Sequence, residues 1–136
     1  MKTETYYAYM AGYARALVDH ACRQSETLSW SFVTSNLFKT LKELEEYTKR
    51  KLPRKALVNS EESLEKRLEG WIGKSDIVEM MERQFGKCEK VIDIEDEDFI
   101  DSAGYSRGWS LFYFPEDMFL AKFKYFYILF IMGNNE

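Results

Sequence analysis

At 136 residues, with a net charge of −4, the chain falls in the size range of one domain, and it can bury a core without a metal or disulfide staple. Its two cysteines, Cys22 and Cys88, lie 66 positions apart and have no paired zinc-type spacing, so a zinc ribbon or a disulfide scaffold is excluded. Aromatic residues reach 16%, enough for a bulky core with rings left over for surfaces. The opening MKTETYYAYM has no apolar stretch of the signal-peptide kind, and together with free thiols this makes a cytoplasmic protein the expectation.

The first long element, ETYYAYMAGYARALVDHACRQ, repeats apolar residues at Tyr6, Tyr9/Met10, Tyr13, Leu17 and Ala21, the spacing of a buried helical face. It is apolar over most of its girth, which predicts a central position. LSWSFVTS reads equally as a short strand or a loop. SNLFKTLKELEEYTKRKL predicts a second helix capped by Ser35 or Asn36 and ended by Pro53, with Glu45–Lys49 and Glu46–Arg50 as i,i+4 pairs. NSEESLEKRLEGWIG and KSDIVEMMERQFG predict two more helices, capped at Asn59 or Ser60 and at Ser75 or Asp76, and closed by Gly73 and Gly86.

After Gly86 the texture changes to KVIDI, GWSLFYF and LAKFKYFYILFIM. On a helix Lys122 and Lys124 would spoil two faces; on a strand they fall on one side, and β-favouring aromatics agree. PEDM reads as the hairpin connection between the last two runs. The expected fold is α+β: about four N-terminal helices followed by a small C-terminal antiparallel sheet. The alternative is all-α, with an aromatic helix starting at Pro115. Met118–Met132 holds two lysines in 15 residues, short of the roughly 20 apolar residues a membrane-spanning helix needs.

GYSRG (Gly104–Gly108) matches the G-x-S-x-G pattern of serine hydrolases. That chemistry needs a histidine to take the serine proton, and the only one, His20, comes 86 residues earlier. We read Ser106 as part of a glycine-bounded turn. Arg15-x4-His20 resembles in spacing the R-x4–6-H motif of HEPN-type ribonucleases, which carry it on a late helix. Here the pair lies on the first helix, about 140° apart around its axis. A surface arginine and a boundary histidine are the simpler reading. No catalytic residue, metal ligand or cofactor site is therefore assigned.

Charge is segregated: ten basic against six acidic residues through Val58, then nine against seventeen. DIEDEDFID places Asp93, Glu95, Asp96, Glu97, Asp98 and Asp101 within nine residues. It fails the EF-hand pattern, since Asp98 and Gly104 stand where Gly and Glu belong. The plainest reading is a solvated acidic loop; as a site it is expected to be an acidic patch for a partner protein with a basic surface, with a bound cation as the remaining option. KRKLPRK (Lys49, Arg50, Lys51, Arg54, Lys55) is the alternative site, for nucleic acid, and without a supporting motif. The leading reading is a small, acidic, non-catalytic protein that binds and inhibits or regulates another macromolecule, with self-association as a further option. An unrecognised hydrolase or metal-dependent enzyme stands third.

Overall fold

In a computed structural model, residues 2–24, 31–100 and 113–135 are described. In chain order they form α1 (Glu4–Gln24), β1 (Ser31–Phe38), α2 (Leu41–Thr48), a 3-10 turn (Arg54–Ala56), β2 (Leu57–Asn59), α3 (Leu64–Ile72), α4 (Ile77–Phe85), β3 (Lys90–Ile94), β4 (Tyr113–Lys122) and β5 (Tyr127–Asn135). Residues 97–100 are also helical. The fold is α+β. The strands make one antiparallel sheet in the order β1-β5-β4-β3-β2. β3, β4 and β5 follow α4, while β1 and β2 thread between the earlier helices.

The sheet separates two cores. On one face α1, α3 and α4 bury Met10, Leu17, Leu68, Ile72, Met81 and Phe85 against Val91, Phe119, Ile128 and Phe130. On the other, Leu44 of α2, Leu52, Ala56 and Phe99 cover Ile92, Met118, Leu120, Leu129 and Ile131. Helices on both faces explain the apolar runs Met118–Ala121 of β4 and Ile128–Met132 of β5: strands buried on both sides have no polar face to alternate with. They also correct the position of α1. It lies on one face rather than at the centre, burying Met10, Ala14, Leu17, Val18 and Ala21 and leaving Tyr9, Arg15 and His20 exposed.

The C-terminal segment is neither one strand nor a helix from Pro115, which lies within β4. PEDM is likewise inside β4, at a bulge between Pro115 and Asp117, rather than a hairpin connection. The true reversal is Phe123–Phe126, closed by the Phe123 N–H donating to the Phe126 carbonyl at 2.9 Å. Both phenylalanines sink against Phe85, with ring centroids 5.3 and 5.2 Å away. Lys122 thus ends β4 and Lys124 lies in the turn, so the two do not share a strand face.

The helix caps also shift. Leu37 and Phe38 belong to β1, and α2 begins only after Thr40, whose hydroxyl accepts from the Glu43 N–H. It ends at Thr48, with Lys49 left-handed at φ 57°, so Glu45–Lys49 and Glu46–Arg50 are not helical pairs; Glu45 instead accepts from the Leu52 N–H at 2.6 Å. α3 is capped by Ser63 in place of Asn59 or Ser60. Gly73 and Gly86 end α3 and α4 at φ 75° and 86°, where side chains are strained.

Candidate functional site at the acidic corner

The six acidic candidates separate into different environments. Asp93 leaves the patch: on β3 it pairs with Arg67 of α3. Arg67 also grips both oxygens of Asp117 on β4 at 2.9 Å, donates to the Ser60 hydroxyl at 3.3 Å, and lies over the Phe119 ring at 4.4 Å. Its side chain is only 11% exposed. Burial pulls the guanidinium pKa down, but hydrogen bonds to Asp117 and Asp93 outweigh it and hold the group above its usual value. Asp93 is therefore a structural ion-pair partner. Arg67 was legible in principle, since it sits three residues after Leu64 and four before Trp71, beside the apolar stripe of α3.

Past Ile94 the chain turns. The Glu95 N–H donates to the Ala56 carbonyl at 2.8 Å, and Asp96 accepts from the Phe99 N–H at 3.0 Å. Phe99 is completely buried in the second core. This turn presents Glu95, Glu97 and Asp98 to solvent, while Asp96 is half-buried in its capping role. Asp101 lies outside the described residues, as does Ser106.

The basic candidates lie at the same corner, because Leu57 at the start of β2 pairs with Ile94 at the end of β3. Arg50 approaches Asp98 at 3.6 Å, with side chains 48% and 80% exposed. Arg54 donates to the Leu52 carbonyl at 3.4 Å, and Lys49, Lys51 and Lys55 are exposed. The two charged runs of the sequence are thus neighbours in space. An ion pair this exposed contributes about 0–0.5 kcal/mol and exchanges readily with outside charges.

The groups considered for catalysis do not converge among the described residues. Arg15 donates to Asn36 at 3.4 Å, and His20 is exposed. His20 shares a shallow depression with Ser75 and Asp76, but the Ser75 hydroxyl accepts from the Ile77 N–H at the start of α4. No three of His, Cys, Asp and Glu gather as metal ligands among the described residues. An open depression of about 840 Å³ between α3 and α4 mixes Glu65, Asp76, Glu79 and Glu82 with Lys74, Arg83 and Lys87. Cys22 and Cys88 are free and half-buried. Burial raises both thiol pKa values, that of Cys88 to about 11 with help from Glu82. Among the described residues no helix is long and apolar enough to cross a membrane. No family model matches the chain, and no characterised protein or solved structure matches it significantly.

Proposed function

We propose that the chain acts by binding another macromolecule, without chemistry of its own, and that a partner with a basic surface meets Glu95, Glu97 and Asp98. The supporting observation is the anchoring of these three carboxylates. Phe99 in the core, Asp96 as a cap and the Glu95–Ala56 backbone bond fix a turn whose acidic groups point outward. A pre-ordered acidic turn loses little freedom on binding. The partner's cations would take the place of Arg50 beside Asp98. The same neighbours make Lys49–Lys55 the weaker alternative, since a nucleic acid there would lie against Asp98. The sense of such binding is inhibition or regulation, in the cytoplasm, where two half-buried free thiols stay reduced.

The test is a tagged pull-down from source-cell lysate beside a folded Glu95→Lys, Glu97→Lys, Asp98→Lys bait. The expected result is one stoichiometric protein, lost with the variant bait, whose complex weakens steeply with salt. A salt-insensitive complex, or one indifferent to the three substitutions, overturns the reading.

A further inference from the structure

The opposite end of the sheet carries charge that no run of sequence announces. The register sets Phe38 of β1 beside Tyr127 of β5, Tyr127 beside Lys122 of β4, and Lys122 beside Lys90 of β3. One row thus crosses four strands, about 14 Å at the usual strand spacing. Lys39 follows Phe38, and the reversal beyond the row exposes Lys124 and Tyr125. The N-terminus of α1 completes the rim. Lys2 sits 5.0 Å from the Tyr6 ring and 4.8 Å from Tyr125, and Lys39 sits 5.0 Å from Tyr7. Lys122 lies 5.1 Å from Tyr127 and Lys124 lies 5.3 Å from Tyr125. Of six cation–ring contacts among the described residues, five fall here; the sixth is Arg67 over Phe119.

Five lysines (2, 39, 90, 122, 124) face three glutamates in this rim, in a chain whose net charge is −4. Lys39 is paired with Glu4 and near Glu43, and Lys122 approaches Glu89 at 3.7 Å. Lys2, Lys90 and Lys124 are exposed, and none of the three has a carboxylate partner among the described residues. The rings are accessible as well: Tyr125 is 39% exposed, and Tyr9, one turn along α1 from Tyr6, is 62% exposed. Ammonium groups resting on partly exposed rings can move onto phosphates and free the ring faces for bases, the combination that a flexible polyanion with its own π-faces requires.

We propose that this hairpin end is a binding surface for single-stranded nucleic acid, with the lysines on phosphates and Tyr125, supported by Tyr6 and Tyr9, stacking on bases. A duplex hides its base faces and could use only the lysines. An anionic bilayer fits less well, because Phe123 and Phe126, the apolar residues of the reversal, are buried and leave no wedge for lipid. The surface is independent of the acidic corner and stands or falls without it.

The test is fluorescence anisotropy of the full chain with labelled 20-nucleotide DNA and RNA strands and the matching duplex, in a salt series starting at about 20 mM. Single strands should bind at least tenfold more tightly than duplex. Lys2→Ala with Lys124→Ala should flatten the log affinity against log salt slope by about 1.4. Tyr125→Ala should weaken binding about tenfold. All three positions are exposed, so near-parental melting is required, and the lysine pair carries the test alone if Tyr125→Ala misfolds. Lys122 is left intact because its ammonium bonds the Phe123 carbonyl of the reversal. Absence of binding at the lowest salt overturns the proposal. So does equal binding of duplex, loss only on Arg54→Ala with Lys55→Ala, or capture by phosphatidylserine vesicles but not by oligonucleotides.

Discussion

At one end of the sheet, where β3 passes into the acidic turn, the two charged runs most visible in the sequence meet and partly offset each other across Arg50 and Asp98. At the hairpin end, lysines drawn from positions 2, 39, 90, 122 and 124 converge with tyrosines from α1 and β5. The lesson concerns the direction of inference. A run of like charge in a chain predicts local repulsion, which folding relieves by placing an opposite run beside it. Isolated charges carry no such warning, and strand register together with the packing of α1 decides whether they gather.

The two ends also differ in how they are held, and the largest expected effect tests that. The acidic turn hangs on Phe99, whose side chain is fully buried. Phe99→Ala should cost about 4 kcal/mol, read as the urea midpoint at constant slope. At the hairpin end the matching truncation, Tyr125→Ala, removes a partly exposed ring with its Lys2, Lys124 and Tyr6 contacts and should cost at most about 1 kcal/mol. Equal losses would erase the distinction between an anchored end and a displayed one.

Next is Arg67, which ties β3 to β4 just before the acidic turn. Arg67→Met keeps apolar cover over Phe119 but strands Asp93 and Asp117 side by side on the sheet. A destabilisation of about 2–3 kcal/mol is expected, below the cost for a deeply buried pair because both carboxylates remain partly exposed. Adding Asp93→Asn and Asp117→Asn to the Arg67→Met variant should recover most of it.

Those two aspartate positions also show why part of the molecule is legible in sequence and part is not. α3 and α4 are local objects: apolar spacing and closing glycine lie within fifteen residues and the chain obeys them, although α3 takes Ser63 as its cap and not Asn59 or Ser60. β3 is likewise readable as KVIDI. The reversal at Phe123–Phe126 is not, because Lys124–Tyr125 carries no turn signature and its position depends on Phe85 being there to receive two phenylalanines. The reassignment of Asp93 from acidic patch to ion pair needed Arg67, 26 residues away, and Asp117, 24 residues on. Only the exposed part of the acidic cluster, Glu95, Glu97 and Asp98, was visible in both sequence and structure.

Cys88 sharpens the comparison at the lysine end. Burial and then Glu82 raise its pKa from 9.0 to about 11. The folded chain therefore favours the protonated thiol. That preference stabilises the fold below about pH 9 and is lost as pH rises from about 9 to about 11. In a Cys22→Ser background, iodoacetamide should alkylate Cys88 about 100-fold more slowly at pH 8 than an ordinary thiol. A normal rate would mean that burial does not hold the thiol protonated.

Smaller effects belong to the acidic corner. Lys49 holds a left-handed conformation at the end of α2, one that glycine adopts without strain. Lys49→Gly should raise stability by about 0.5–1 kcal/mol while leaving Arg50 and Asp98 in place.

The least effect is expected from the Arg50–Asp98 contact itself. Both side chains are substantially exposed and the nearest atoms stand 3.6 Å apart, so Arg50→Gln and Asp98→Asn should each change stability by under about 0.5 kcal/mol. Their coupling in a double-mutant cycle should be smaller still at physiological salt. That weakness is what the proposed binding requires, because a carboxylate bound tightly within its own chain has little attraction left for a partner. A coupling above about 1 kcal/mol would show Asp98 committed internally, and would leave Glu95 and Glu97 as the acidic groups still open to a basic partner.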